Sequence, residues 1–122
     1  MNSTRLLEKG VTVALTVPRI TGLVFDEQIV QEPKCFPQLR HLLFCGEQLF
    51  AAQIHQWMMR NPRLHVHNCY GPTEATVACT CQSFAPGDVV TDPVSIGRAL
   101  PGQRMEILLE NGLALDGAGQ GE

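Results

Sequence analysis

The sequence is organised around Asn68-Cys69-Tyr70-Gly71-Pro72-Thr73-Glu74-Ala75-Thr76. Residues 64–68 before it have strand character, and so do residues 76–84 after it. Gly71-Pro72 predicts a turn between these strands, because glycine tolerates backbone angles that other residues avoid and proline fixes its own φ. A tight turn at the end of a strand should gather its side chains at the edge of a sheet.

The side chains of this turn suit a nucleotide. Tyr70 offers an aromatic face for a base, Thr73 a hydroxyl for a phosphate oxygen, and Glu74 a carboxylate for Mg²⁺. The alternative is an ordinary polar loop that contains one buried tyrosine.

The segments on either side indicate alternating strands and helices. Two apolar runs predict strands that are buried on both faces, and two segments of near-helical period predict helices between the strands. In chain order these are strand 11–17, helix 20–30, strand 39–44, helix 49–60 and the strand that enters the turn. This order is typical of βαβ units in a parallel sheet with right-handed crossovers.

The predicted sheet also predicts where a ligand would bind. Ligands of parallel α/β sheets lie beyond the carboxyl ends of the strands, where both Cys45-Gly46-Glu47 and the central turn fall. We expect these two stretches to be neighbours. After Phe84 the sequence is rich in turns, with strand-like alternation over 104–109, so we divide the chain into a βαβ part (10–84) and a β-rich continuation (85–122).

Composition and charge exclude several classes of function. The 122 residues are 44% hydrophobic and 17% charged, which is the balance of one globular domain. Nine basic and twelve acidic residues give a net charge of −3 without a basic run, which disfavours nucleic acid and anionic membranes as partners. The sequence has no long apolar run and no signal-peptide pattern at its beginning, so we expect a cytoplasmic protein.

Cysteine and histidine spacing does not predict a metal site. The five cysteines, at positions 35, 45, 69, 79 and 81, are odd in number and are expected to be buried thiols. Cys79 and Cys81 alternate, whereas zinc pairs are usually two to four residues apart. The four histidines form no ligand set, although His65 and His67 share a strand face.

The central stretch resembles the adenine- and magnesium-binding signature of adenylate-forming (AMP-binding) enzymes, most closely the adenylation domains of nonribosomal peptide synthetases. Three further stretches are similar to motifs of the same family in the same order. They are Leu39-Arg40-His41-Leu42-Leu43-Phe44-Cys45-Gly46-Glu47, Val94-Ser95-Ile96-Gly97-Arg98-Ala99-Leu100-Pro101-Gly102 and Gly119-Gln120-Gly121-Glu122.

The resemblance implies a nucleotide site. Tyr70 would stack on adenine beside Gly71, Asn68 would lie near the exocyclic amine, and Gly46-Glu47 would form one wall. Thr73 would contact the α-phosphate, and Glu74 would coordinate Mg²⁺, so that these two carry the catalytic roles. Without the resemblance, Glu47 is equally well explained as a cap of the following helix.

The resemblance also implies a pocket for the acid that is activated, lined by Arg19, Leu43, Cys45, Cys69, Val77 and Ala78. A cation at Arg19 would favour an acidic substrate. Leu43, Val77 and Ala78 are otherwise ordinary core residues.

The resemblance implies a reaction in which ATP and a carboxylic acid, in this branch an amino acid, form an acyl-adenylate. The acyl group would then pass to a phosphopantetheinyl carrier protein in secondary metabolite biosynthesis. The family's phosphate loop, ribose-binding Asp and C-terminal Lys have no match in this sequence. We therefore expect the central fragment of the large N-terminal domain, inactive alone. The alternatives are an acyl-CoA ligase or another carboxylate-adenylating enzyme, and a non-catalytic ATP-binding remnant.

Overall fold

Five short strands and two helices make up the fold of the computed structural model, which describes residues 10–25, 36–71 and 78–115. The strands are β1 (Val13–Thr16), β2 (His41–Phe44), β3 (His65–Tyr70), β4 (Thr80–Phe84) and β5 (Arg98–Ala99). The helices are α1 (Ile20–Val24), between β1 and β2, and α2 (Ala51–Arg60), between β2 and β3.

The strands form one sheet in the order β1-β2-β3-β4-β5. The first three are parallel, with Phe44 of β2 opposite Asn68 of β3, whereas β4 and β5 are added antiparallel. The predicted parallel βαβ sheet, followed by short β strands, is confirmed. Asn68 and the loop after Phe44 therefore lie at the same edge of the sheet.

Both helices pack on one face of the sheet. Leu42, Phe44 and Val66 alternate along β2 and β3 and are almost completely buried against Ile54 and Trp57 of α2. Because successive side chains of a strand point to opposite faces, these residues bring one face of each strand into the core.

The prediction that the first strand is buried on both faces is wrong. Val13 and Leu15 of β1 are 56% and 55% exposed, whereas Ala14 between them is buried. Consecutive strands joined by crossovers of one hand place both helices on the same side. Among the described residues, the opposite face of β1 therefore has no helix against it.

Several predicted boundaries also change. β3 continues to Tyr70, so Tyr70 ends a strand rather than lying in the turn. The strand predicted over 104–109 is reduced to an isolated bridge between Leu108 and Ala114, in a part of the chain that is almost entirely exposed. The part of the predicted helix beyond residue 25 lies outside the described residues. No helix within the described ranges is long and apolar enough to cross a membrane.

Trp57 joins the two helices to the sheet. Its indole Nε1 donates a hydrogen bond of 2.9 Å to the buried Thr21 Oγ1 of α1. Its ring lies against the rings of Phe25, Phe36 and Phe44, with centroid separations of 4.7, 5.5 and 6.4 Å. The indole therefore has both a polar partner and an aromatic surrounding.

We predict that Thr21→Val destabilises the fold while Thr80→Val does not. Thr21 is the acceptor for a buried N–H, and leaving such a donor unpaired costs about 1–3 kcal/mol. The hydroxyl of Thr80 is equally buried but has no hydrogen-bond partner among the described residues. Urea unfolding should therefore show a loss for Thr21→Val and no loss, or a gain, for Thr80→Val. Equal losses for both variants would contradict this assignment.

Three histidines stack on the sheet face opposite the helices. The ring of His41 lies 5.1 Å from that of His65 and 5.3 Å from that of His67. His67 shares a hydrogen bond of 3.0 Å with His41 and another of 2.8 Å with Ser83. Burial, and then the charges that His41 and His65 acquire on protonation, lower the pKa of His67 below its ordinary value.

This lowered pKa predicts a loss of stability in mild acid. The unfolded chain takes up a proton near the ordinary pKa of 6.5, while folded His67 resists protonation. The contribution is therefore present above pH 6.5 and is lost as the pH falls through that value towards the folded pKa. His67→Asn should reduce this loss between pH 7.5 and 5.5, about one unit on either side of the ordinary pKa. The exposed His55→Asn should leave the loss unchanged, and a similar profile for all three proteins would refute the prediction.

Candidate functional site

A cavity of about 390 Å³ opens at the carboxyl ends of β2 and β3. The loop after β2 forms one wall, the end of β3 forms the floor, and the segment after β4 closes the other side. The lining residues are Gly46, Glu47, Gln48, Leu49, Asn68, Cys69, Tyr70, Gly71, Val94 and Ile96.

The cavity brings together the two stretches that the sequence predicted to be neighbours. The predicted nucleotide contacts Gly46, Glu47, Asn68, Tyr70 and Gly71 all line it. Gln48, Leu49, Val94 and Ile96 were not predicted. Val94 and Ile96 belong to a stretch that matched a family motif, so position within a motif was the signal that could have found them.

Asn68 is held in one orientation. Its amide is buried, and Nδ2 donates a hydrogen bond of 2.9 Å to the carbonyl oxygen of Ser95. No described residue donates a hydrogen bond to Oδ1, so this oxygen is the acceptor that Asn68 can offer to a ligand. The same hydrogen bond draws the chain on both sides of Ser95, which carries Val94 and Ile96, against the end of β3.

Tyr70 and Gly71 complete the floor. The Tyr70 side chain is 48% exposed, so its aromatic face is accessible from the cavity. Gly71 is needed for a reason that the sequence did not reveal. A Cβ at this position would lie 2.7 Å from Cα of Ala78, so the backbones approach too closely for any side chain.

Glu47 forms an ion pair with Arg19 at the carboxyl edge of the sheet. Its Oε1 lies 2.5 Å from Arg19 Nη2, and its Oε2 accepts a hydrogen bond of 3.3 Å from the backbone N–H of Arg19. The alternative role of Glu47 as a helix cap is wrong, because the first N–H of α2, at Ala51, donates to Asp92 Oδ1 at 2.9 Å. Gly46, directly before Glu47, has a φ of 94°, a conformation that favours glycine.

Of the predicted substrate-pocket residues that the structure describes, only one lines this cavity. Cys69 lines it, whereas Arg19, Leu43, Cys45 and Ala78 do not. The Arg19 side chain instead forms an ion pair with Glu47. Val77, Thr73 and Glu74 lie outside the described residues, and within the described ranges no group of three or more His, Cys, Asp or Glu side chains could hold a metal ion.

The Cys69 thiol contacts the thiol of Cys81. It donates a hydrogen bond to Cys81 across the β3–β4 pair, with 3.7 Å between the Sγ atoms. Burial, then the hydrogen bond to Cys81 and the charges of ionised Cys81 and Cys45, raises the pKa of Cys69 to about 12. Cys69 is therefore a neutral thiol at physiological pH.

The AMP-binding enzyme family model matches residues 3–122. The chain belongs to this family. A D-alanine--D-alanyl carrier protein ligase from Lacticaseibacillus rhamnosus is 38% identical over 88 residues, which are 71% of this chain and 17% of that ligase. Tyrocidine synthase 2 from Brevibacillus parabrevis is 30% identical over 88% of this chain and 3% of the synthase.

Solved structures of adenylation domains share the fold. An NRPS protein containing adenylation and PCP domains is 31% identical with a TM-score of 0.78, covering 94% of this chain and 23% of that one. The Vibrio cholerae adenylation domain AlmE, solved with glycyl-adenosine-5'-phosphate, is 31% identical with a TM-score of 0.75, covering 93% and 21%. This member of the AMP-binding family thus spans less than a quarter of the length of each of these four relatives.

We predict that Gly71→Ala destabilises the fold and disturbs the cavity. The added methyl group would meet the backbone of Ala78, and forcing such contacts costs about 1–3 kcal/mol. Gly22→Ala is the matched control. A Cβ at Gly22 meets no atom within 4 Å, and alanine in a helix is about 0.5–1 kcal/mol more stable than glycine. Thermal unfolding should move in opposite directions for the two variants, and a neutral Gly71→Ala would contradict the close approach.

Proposed function

We propose that this chain holds the adenine side of the ATP site in an enzyme that adenylates an amino acid. One observation carries the proposal. Gly46 and Glu47, from one family motif, and Asn68, Tyr70 and Gly71, from another, line a single cavity at the carboxyl edge of the sheet.

The lining matches the chemistry of adenine. The exposed Tyr70 ring offers a face on which a planar base can stack. The hydrogen bond to Ser95 leaves Asn68 Oδ1 as an acceptor for the exocyclic amine of adenine, which is a donor. Val94 and Ile96 provide apolar surface across the cavity from the β2 loop. Stacking, hydrogen bonding and apolar contact can therefore act on one base.

Thr73 and Glu74 belong to the same proposal through the family motif. Bound ATP would supply an activated α-phosphate and a pyrophosphate leaving group. We assign Thr73 to an α-phosphate oxygen and Glu74 to Mg²⁺, because Mg²⁺ is a hard cation that prefers carboxylate oxygens.

For the acid to be activated, we propose a small, uncharged amino acid. The pocket candidates Leu43, Cys45, Cys69 and Ala78 are small or apolar. Arg19 is paired with Glu47, so a carboxylate substrate would have to compete with an existing ion pair. This argues against the acidic substrate predicted from Arg19 alone. The names of two relatives point the same way, one a D-alanine ligase and the other bound to a glycyl adenylate.

The acceptor in this proposal is the thiol of a carrier protein in the cytoplasm. Carrier proteins occur in the names of several relatives. In this reaction the described residues position the nucleotide, and accurate positioning of reactants can lower a barrier by about 7–11 kcal/mol.

We predict that Tyr70→Ala weakens ATP binding about ten- to hundredfold, since stacking on an aromatic side chain contributes about 1–3 kcal/mol per base. Equilibrium dialysis with labelled ATP measures the dissociation constant. Tyr70→Phe keeps the ring and should bind almost as well as the original chain. Phe50→Ala is the matched control, because Phe50 is similarly exposed, at 47%, but does not line the cavity.

The same assay tests the substrate class by competition with aminoacyl sulfamoyl-adenosines, which imitate the adenylate. Glycyl and alanyl compounds should displace ATP at lower concentration than the glutamyl compound. Equal losses of binding for Tyr70→Ala and Phe50→Ala would place the base elsewhere. Preference for the glutamyl compound would refute the uncharged substrate.

A further inference from the structure

Cys69 and Cys81 face each other across two paired strands. They are register partners in the antiparallel β3–β4 ladder, and their Sγ atoms are 3.7 Å apart. Residues directly opposite in such a ladder have Cα atoms about 4.5–5.5 Å apart, and disulfides bridge Cα atoms about 4.4–6.8 Å apart. The backbone separation of this pair therefore suits a disulfide, and only the sulfur atoms have to move closer, to about 2.05 Å.

Cys79, the cysteine nearest to Cys81 in the sequence, makes other contacts. Cys79 lies just before β4, and its Sγ contacts the carbonyl oxygen of Tyr70 at 3.4 Å and Met105 Sδ at 3.8 Å. Cys45 is near enough to affect the pKa of Cys69, but the hydrogen bond of Cys69 goes to Cys81. Cys69 and Cys81 are thus two described cysteines whose thiols already meet across paired strands.

We propose that Cys69 and Cys81 form a reversible disulfide when the protein meets hydrogen peroxide, and that this bond changes the wall of the cavity. The formation of the bond does not depend on the proposed function. Its effect on ligand binding rests on that function, because Cys69 lines the cavity between Asn68 and Tyr70.

The reaction begins at Cys81. Cys81 is the more exposed of the two thiols, whereas Cys69 is 9% exposed and its pKa is raised to about 12, so that its thiolate is rare. Cys81 sulfur attacks one peroxide oxygen, the O–O bond breaks, and a sulfenic acid and water form. The sulfur of Cys69 then attacks Cys81 sulfur, the S–O bond breaks, and the leaving hydroxide takes the thiol proton as a second water.

The overall reaction converts two thiols and one hydrogen peroxide into one disulfide and two waters. Two electrons pass from the sulfur atoms to the peroxide. A small dithiol such as dithiothreitol reverses the reaction by thiol–disulfide exchange. The bond is therefore a switch rather than a permanent link.

The disulfide should weaken binding in the cavity. It draws the Cys69 side chain towards β4 and away from its present rotamer, at the floor between two ligand contacts. This change of rotamer in a residue of the cavity wall is expected to weaken ATP binding about two- to tenfold.

Peroxide treatment of the full chain, followed by alkylation and mass spectrometry, tests the bond itself. The expected result is the loss of two hydrogen atoms and a linked pair of peptides that contain Cys69 and Cys81, both reversed by dithiothreitol. Cys69→Ser and Cys81→Ser should abolish the link. Cys79→Ser, a matched control two residues from Cys81, should keep it. A link between any other pair of cysteines, or oxidation without a link, would overturn the proposal.

Peptide mapping of the unaltered chain keeps the test valid even if a serine variant does not fold. Equilibrium dialysis with ATP, before and after oxidation, then tests the effect on the cavity. Weaker binding after oxidation, restored by dithiothreitol, supports the switch, and unchanged binding refutes it. If the reduced chain binds no ATP while the linked peptides form, the proposed function fails and the disulfide stands.

Discussion

The position of α2 depends on Trp57. This side chain packs on Phe44 of β2, contacts Phe25 and Phe36, and donates its indole hydrogen to Thr21 of α1. Each aromatic pair contributes about 0.5–1.5 kcal/mol beyond the apolar surface that it buries, and the buried indole N–H is satisfied only while Thr21 Oγ1 of α1 stays within reach of α2. The loop that forms one wall of the cavity lies between β2 and α2. Its position therefore follows from the way Trp57 fixes α2 on the sheet.

A second constraint comes from the segment around Asp92 to Ile96. Asp92 accepts the first N–H of α2, which satisfies one of the donors that every helix leaves unpaired at its start. Ser95 accepts the Asn68 amide, and Val94 and Ile96 line the cavity. One extended segment thus caps the helix, orients a ligand-facing side chain and supplies apolar surface. The site is built from three parts of the chain that are distant in sequence.

The sequence predicted those features that depend on local pattern. The apolar runs at 11–17 and 39–44 and the helical period of 49–60 indicated three parallel strands with their helices, and the motifs indicated which loops would meet. The exposure of Val13 and Leu15 was not predicted, because the apolar character of a residue does not indicate whether a helix covers that face of its strand. The close approach of Gly71 to Ala78 was not predicted, because it depends on the tertiary path of the chain.

Side-chain partners across the sheet were the hardest part to foresee. Arg19 and Glu47 are 28 positions apart, and their ion pair requires knowing that the loops after β1 and β2 lie side by side. The contact between Cys69 and Cys81 depends on the exact register of two antiparallel strands, and a slip of one residue would turn one thiol to the other face. Spacing in the sequence gives none of this register.

The alternation along β3 has a consequence for how single substitutions act on this strand. Asn68 and Cys69 are consecutive, yet the amide of Asn68 bonds to Ser95 while the thiol of Cys69 bonds to Cys81 on β4. Neighbouring side chains of a strand point to opposite faces, so a substitution at position 69 leaves the bond of its neighbour in place. Asn68 and Cys69 therefore tie the end of β3 to two different parts of the chain, and each of these contacts can be removed separately by one substitution.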